Sequence, residues 1–253
     1  MRRLMLIPLL AVLAGCLPPP AGKMGEAERK ALRQEVRAYL LENPEIIDEM
    51  QVAYGQKQDA ARKSQMADIT KRYREDAAYR DRFVADAANF SIGPTNAKVT
   101  LVEFFDYRCP RCHESIAWVR RVHQKHPEVR IIFKEMPFLS QGSLDAARAA
   151  LAAGRQGKYW QIHQELMDIT GDHTIERINQ AARRAGVDVA RMQADMQDPA
   201  IIDHLKKVSD LAAEAGIEGT PTFLVNGEVV VGFDEPKLDA ALAAALGGSG
   251  AGR

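Results

Sequence analysis

Two cysteines separated by two residues, Cys109-Pro110-Arg111-Cys112, directly follow the apolar run Val99-Thr100-Leu101-Val102-Glu103-Phe104-Phe105. No other feature constrains the chain as tightly. The run reads as a buried strand, and Pro110 suits the first turn of a helix. A cysteine at that junction meets unpaired backbone N–H groups and the positive end of the helix dipole, which favour a negative charge. Its thiol then loses a proton below the free value of about 8.5. Cys109 is therefore predicted to be an exposed nucleophile, and Cys112, one turn deeper, to resolve the mixed disulfide. Pro110 preorganises the turn. Arg111, always charged, either folds back over the sulfur and stabilises its thiolate or extends into solvent.

The first residues bear on the compartment. Arg2 and Arg3 precede the apolar stretch Leu4 to Leu13, which is shorter than the ~20 apolar residues of a membrane-spanning helix. Residues 1–15 are read as an export signal. Its end, Leu13-Ala14-Gly15-Cys16, resembles the bacterial lipoprotein signal, implying cleavage before Cys16 and lipidation of its sulfur. An ordinary secretory signal with an incidental cysteine is the alternative. Leu17, where an aspartate would favour inner-membrane retention, favours the outer membrane. Residues 16–24, with Pro18-Pro19-Pro20, suit a stiff tether.

Charge excludes one class of partner. Lysine plus arginine numbers 34 against 34 acids, and no basic surplus argues for nucleic acid. With only two cysteines beyond Cys16, an exported chain is not a disulfide scaffold. Those two are read as reactive.

Residues 25–90 read as a charged helical extension, broken at Asn43-Pro44. Met66, Ile69, Tyr73 and Phe83 are its sizeable anchors after Gln56. That stripe is thin for burial against a core, so a solvated stalk, or a helix packed on another copy, is expected. Ser91 to Ala97 has turn chemistry and marks a domain boundary. Strands are expected at Val99–Phe105, Val129–Phe133, Thr222–Val225 and Val229–Val231, the last two joined by the hairpin turn Asn226-Gly227. A helical insertion occupies about 142–215, a final helix runs over Glu235–Leu246, and 247–253 form a flexible tail.

The order strand–helix–strand, helical insertion, strand–strand–helix resembles an α/β thioredoxin fold of the DsbA-like branch. The dithiol motif, Phe133-Lys134-Glu135-Met136-Pro137 and Gly219-Thr220-Pro221-Thr222-Phe223 carry the resemblance, which covers about 91–246. It implies a thiol–disulfide oxidoreductase acting on exported proteins with cysteines in the periplasm. A membrane redox partner would reset the dithiol, and no cofactor or metal is implied. Pro221 matches the family's cis-proline, Thr220 the position that tunes redox behaviour, and Glu103 an acid that relays protons to the resolving cysteine. A trans Pro221 and a surface-reaching Glu103 are the bland alternatives. The extension resembles that of the copper-sensitivity-suppressor subgroup, which implies a homotrimer.

Two other classes compete. Cys109-Pro110-Arg111-Cys112-His113 also fits c-type haem attachment, though a buried-type strand and a facing Thr-Pro loop are not what haem requires. Structural zinc wants four ligands where two thiols are available. A non-catalytic lipoprotein scaffold would not need Cys109, Cys112 and Pro221 together. The other histidines, His123, His126, His163, His173 and His204, are expected to be solvated.

Overall fold

The computed structural model describes residues 24–86 and 88–248. Cys16 and the export signal lie outside the described residues. The chain divides into two compact units, Met1–Asp59 and Ala60–Arg253.

In the first unit, helix α1 (Glu26–Glu42) opens with the Glu28 carboxylate accepting from the Gly25 backbone N–H at 2.9 Å. Asn43 closes it, its side-chain amide donating to the Tyr39 carbonyl. Pro44 cannot continue that ladder, and α2 (Glu45–Glu75) begins immediately after it. No residue of α1 is buried. Leu32, Val36, Tyr39 and Leu40 recur at helical spacing on its surface, all exposed.

The second unit is built on a five-stranded sheet of order β1-β3-β2-β4-β5. Its strands are β1 (Ser91–Ile92), β2 (Val99–Phe105), β3 (Val129–Glu135), β4 (Thr222–Val225) and β5 (Glu228–Val231). β2 and β3 run parallel, from Val99 opposite Val129 to Phe105 opposite Glu135. β4 is antiparallel to β2 and places Phe223 opposite Glu103. Asn226 and Gly227 join β4 to β5, both with positive φ, as this two-residue hairpin turn demands. Gly227 has a second reason to lack a side chain, because a Cβ there would meet the Tyr73 ring at 2.4 Å.

β2 and β3 are buried on both faces, so the sheet needs cover on each side. Leu101, Phe105 and Ile131 pack with α4 (Pro110–Lys125) and the helical insertion. That insertion comprises α5 (Gln141–Gly154), α6 (Tyr159–Met167), α7 (Ile175–Arg184), α8 (Val189–Asp195) and α9 (Pro199–Ala215), and α10 (Glu235–Gly248) completes the unit. Val102, Phe104 and Ile132 face the other way. They pack with Ile69 and Tyr73 of α2, Tyr79 and Phe83 of α3 (Ala77–Val84), and Val208 and Leu211 of α9.

This corrects the expected solvated stalk. Ile69, Tyr73, Tyr79 and Phe83 are at most 4% exposed, with Tyr73, Tyr79 and Phe104 all edge-on to Phe83. Few apolar residues suffice because they fall at i, i+4 spacing on one face and meet the apolar side chains of Val102, Phe104, Ile132 and Leu224. The division between units accordingly falls inside α2, not at residue 90, and the turn block Ser91–Ala97 contributes a short edge strand to the sheet.

Candidate active site

Cys109 is the N-cap of α4, in extended conformation, with Pro110 in the first turn. Its carbonyl accepts from the Cys112 and His113 backbone N–H groups at 3.0 and 3.1 Å, which starts the helix ladder. Cys109 Sγ lies 3.2 Å from the Thr220 carbonyl oxygen. The Thr220–Pro221 bond is cis, and the contact of Thr220 with Cys109 sets the loop before β4 against the start of α4.

The two thiols are driven apart in acidity. A hydrogen bond from the Cys112 thiol lowers the Cys109 pKa to about 5 against the cost of burial. The backbone N–H groups of Cys112 and Arg111 act in the same direction. Burial pushes Cys112 far up, and the nearby Glu103 adds to it. One sulfur is thus a thiolate at neutral pH while the other retains its proton. Cys109 is 6% exposed, so the expected open nucleophile is a recessed one.

Arg111 does not fold over the sulfur. Its guanidinium binds the Glu114 carboxylate and the Phe233 carbonyl, and its side chain is 55% exposed. The Phe233 carbonyl offers it a well-placed acceptor, whereas a position over the sulfur would forfeit that bond. Arg111 favours the Cys109 thiolate through its backbone N–H.

Glu103 is 1% exposed, its side chain directed into the protein rather than to the surface. Oε1 is 3.2 Å from the Ser115 hydroxyl, which also lies 2.9 Å from the Cys112 carbonyl. Oε2 is buried without a partner. Burial raises this acid to about 8, so it carries a proton at pH 7 next to the resolving cysteine.

A second buried network went unread in the sequence. Glu135 accepts hydrogen bonds from Tyr159 at 2.7 Å and Tyr107 at 3.3 Å, and burial pushes its carboxyl well above the usual carboxylate range. Tyr107 OH also lies 3.0 Å from His163 Nδ1. His163 is fully buried among Phe105, Phe133 and Tyr159, and burial lowers it to about 3, which keeps it neutral. His173 and His204 are buried too, so three of the five histidines expected in solvent are interior. Each lies on or beside a helix of the insertion, whose partners are remote in sequence. The only local signal was Glu135 itself, an acid ending an apolar strand.

The loop before Cys109 is fixed by Asp106. Its carboxylate accepts from the Arg108, Phe138 and Leu139 backbone N–H groups and from the Ser143 hydroxyl, at 2.7 to 3.1 Å. His113 Nε2 is held 2.6 Å from the Tyr107 carbonyl, an arrangement at odds with haem ligation, as is the burial of both thiols. Among the described residues, no three His, Cys, Asp or Glu side chains are grouped to hold a metal ion.

Residues 85–246 match the family model for thioredoxin. The chain belongs to the thioredoxin family. Residues 28–61 match the N-terminal domain of the copper resistance protein ScsC. Among solved structures, a thioredoxin-like oxidoreductase from Silicibacter pomeroyi is 38% identical, with 66% of this chain and 96% of that one covered at a TM-score of 0.63. ScsC from Proteus mirabilis in a transitional conformation is 26% identical, covering 88% of this chain and 97% of its own at a TM-score of 0.62. A curated relative, the Na(+)/H(+) antiporter NhaA of Herminiimonas arsenicoxydans, is 33% identical over 162 residues, 62% of this chain. The match takes in 25% of the antiporter, so the chain spans about a quarter of the length of the first curated relatives. The fold is a DsbA-like member of the thioredoxin family with helices before it.

Proposed function

We propose that the protein is a periplasmic thiol–disulfide oxidoreductase that forms, reduces or isomerises disulfides in exported proteins. The carrying observation is the acidity gap between two neighbouring thiols, with Cys109 lowered to about 5 and Cys112 raised by burial. Cys109 thiolate attacks a substrate disulfide, forming a mixed disulfide and expelling one substrate thiolate. Cys112 then attacks Cys109 Sγ, releasing the second substrate thiolate and leaving the Cys109–Cys112 disulfide. Glu103, close to Cys112, relays the proton that this thiol exchanges with solvent: its carboxylate form accepts the proton from Cys112 and its acid form returns it. Thr220, beside Cys109 and directly before Pro221, offers its backbone to an extended substrate peptide. Stabilisation of the reduced form by the thiolate makes the disulfide oxidising. The direction in use then depends on the membrane partner that resets it: an oxidising partner gives disulfide formation, a reducing one gives isomerisation.

Anchoring through lipidated Cys16, after cleavage of residues 1–15, belongs to the same proposal. Residues 16–24 serve as tether, and α1 with the adjoining part of α2 as the trimer-forming segment. Mass spectrometry of the mature protein should find an acylated N-terminal Cys16, and an unmodified Cys16 would remove the anchor. The activity itself is tested by refolding of a reduced and of a scrambled disulfide protein. Cys109→Ser should abolish both, and Cys112→Ser should accumulate mixed disulfides. Full activity in Cys109→Ser would end this reading.

A further inference from the structure

The end of the sheet where β2 begins lies about 20 Å from the dithiol, given seven strand residues at ~3.3 Å each. Four cations converge there from four segments: Arg74 of α2, Arg80 of α3, Lys98 before β2 and Arg130 of β3. They line a cavity of about 480 Å³, a size common among ligand sites, and no acidic side chain lines it. Its floor is rigid. Tyr73 and Thr100 hydroxyls are 3.0 Å apart, Thr100 N donates to Asn226 Oδ1 at 2.8 Å, and Asn226 Nδ2 donates to the Lys98 carbonyl at 3.3 Å.

The charge there is only partly compensated. Arg74 alone has a carboxylate partner, Glu228 at 3.1 Å. Arg130 Nε donates to the neutral Ser91 hydroxyl at 3.2 Å. Among the described residues, Arg80 and Lys98 form no ion pair. Arg80 and Arg130 are half-buried, so their mutual repulsion is less screened than on an open surface. Like charges held in one depression are relieved by an anion, and guanidinium pairs suit phosphate oxygens.

We propose that the cavity formed by Arg74, Arg80, Lys98 and Arg130 binds a phosphate group, carried either by a soluble phosphate compound or by an anionic lipid headgroup. Because the site is at the far end of the sheet, its occupant leaves the dithiol free.

Titration of the full chain with inorganic phosphate at fixed ionic strength should give saturable binding that chloride does not compete for equally. Arg80→Gln with Arg130→Gln should weaken it at least tenfold while leaving the thiol-exchange rate unchanged. On the unmutated chain, phosphate should slow acylation of Lys98 by an amine-directed reagent. Vesicles separate the sources, since any lipid anchor inserts alike in all of them. Retention on phosphatidylglycerol above that on phosphatidylcholine, lost in the double variant, supports the headgroup. Phosphate binding without that preference supports a soluble compound. Phosphate acting no better than chloride, binding unaltered in the double variant, or Lys98 left unprotected would each overturn the site.

Discussion

At the scale of single residues, the dithiol converts burial and hydrogen bonding into a difference of protonation. Cys109 has a folded value of about 5, below its unfolded value near 9. Its thiolate therefore stabilises the reduced fold fully above pH 9, and that contribution is lost as pH falls through 5. Alkylation at neutral pH should label Cys109 first, with a rate that halves near pH 5; faster labelling of Cys112 would reverse the roles. Arg111→Gln should move that midpoint by less than about half a unit, because the exposed guanidinium is screened and the backbone N–H remains. A shift of a unit or more would show that the side chain governs the thiolate. Glu103 has the opposite sign. Its folded value of about 8 lies above the unfolded value of 4.5, so stability falls as pH rises between them. At about 1.36 kcal/mol per unit the loss is roughly 5 kcal/mol. In the Cys109–Cys112 disulfide form, where Cys109 does not titrate, urea unfolding of Glu103→Gln at pH 5 and pH 8 should show most of that difference removed, and an unchanged difference would exclude Glu103 as its source.

At the scale of elements, the decisive contact is between the sheet and the helices that precede it. Phe83→Ala should cost about 3–5 kcal/mol, the range for a buried aromatic truncated to alanine, whereas Leu32→Ala on exposed α1 should cost under about 1 kcal/mol. Equal costs by urea unfolding would contradict the placement of α3. Strands β2 to β5, the dithiol helix and the Asn226-Gly227 hairpin were legible in the sequence because short-range pattern determines them, whereas β1 lay in a block read as a turn. The role of Ile69 to Phe83 was not, because a sparse apolar face acquires meaning only from the sheet it meets some 20 residues or more downstream. The same distance hid the Glu135–Tyr107–His163 network, whose members come from β3, the loop after β2 and α6. Arg111 was half legible. Its position next to the thiols follows from the motif, but its partner Phe233 comes from the far end of the chain.

At the scale of the whole molecule, the two units differ in how they satisfy their apolar residues. The second unit buries Ile69, Tyr73, Tyr79 and Phe83 within itself. In the first, Leu32, Val36, Tyr39, Leu40, Ile47 and Met50 are exposed in the single chain. Covering such a stripe against identical copies stabilises an assembly by roughly 25 cal/mol for each Å² of apolar surface removed from water. A trimer would set several dithiols around a shared space and restrict access of an oxidising partner, which favours isomerisation over simple oxidation. Truncation separates these roles, and the place of the cut matters. A chain starting at Ala60 keeps the helices that cover the sheet and should be a folded, active monomer. One starting at Ser91 loses them, exposing Val102, Phe104 and Ile132, and should unfold or aggregate. Light scattering on the mature chain should then give three times the monomer mass, and on the Ala60 form the monomer mass. A monomeric mature chain at micromolar concentration would sink the trimer, and with it the structural reason to favour isomerisation, while leaving the chemistry of Cys109 and Cys112 untouched.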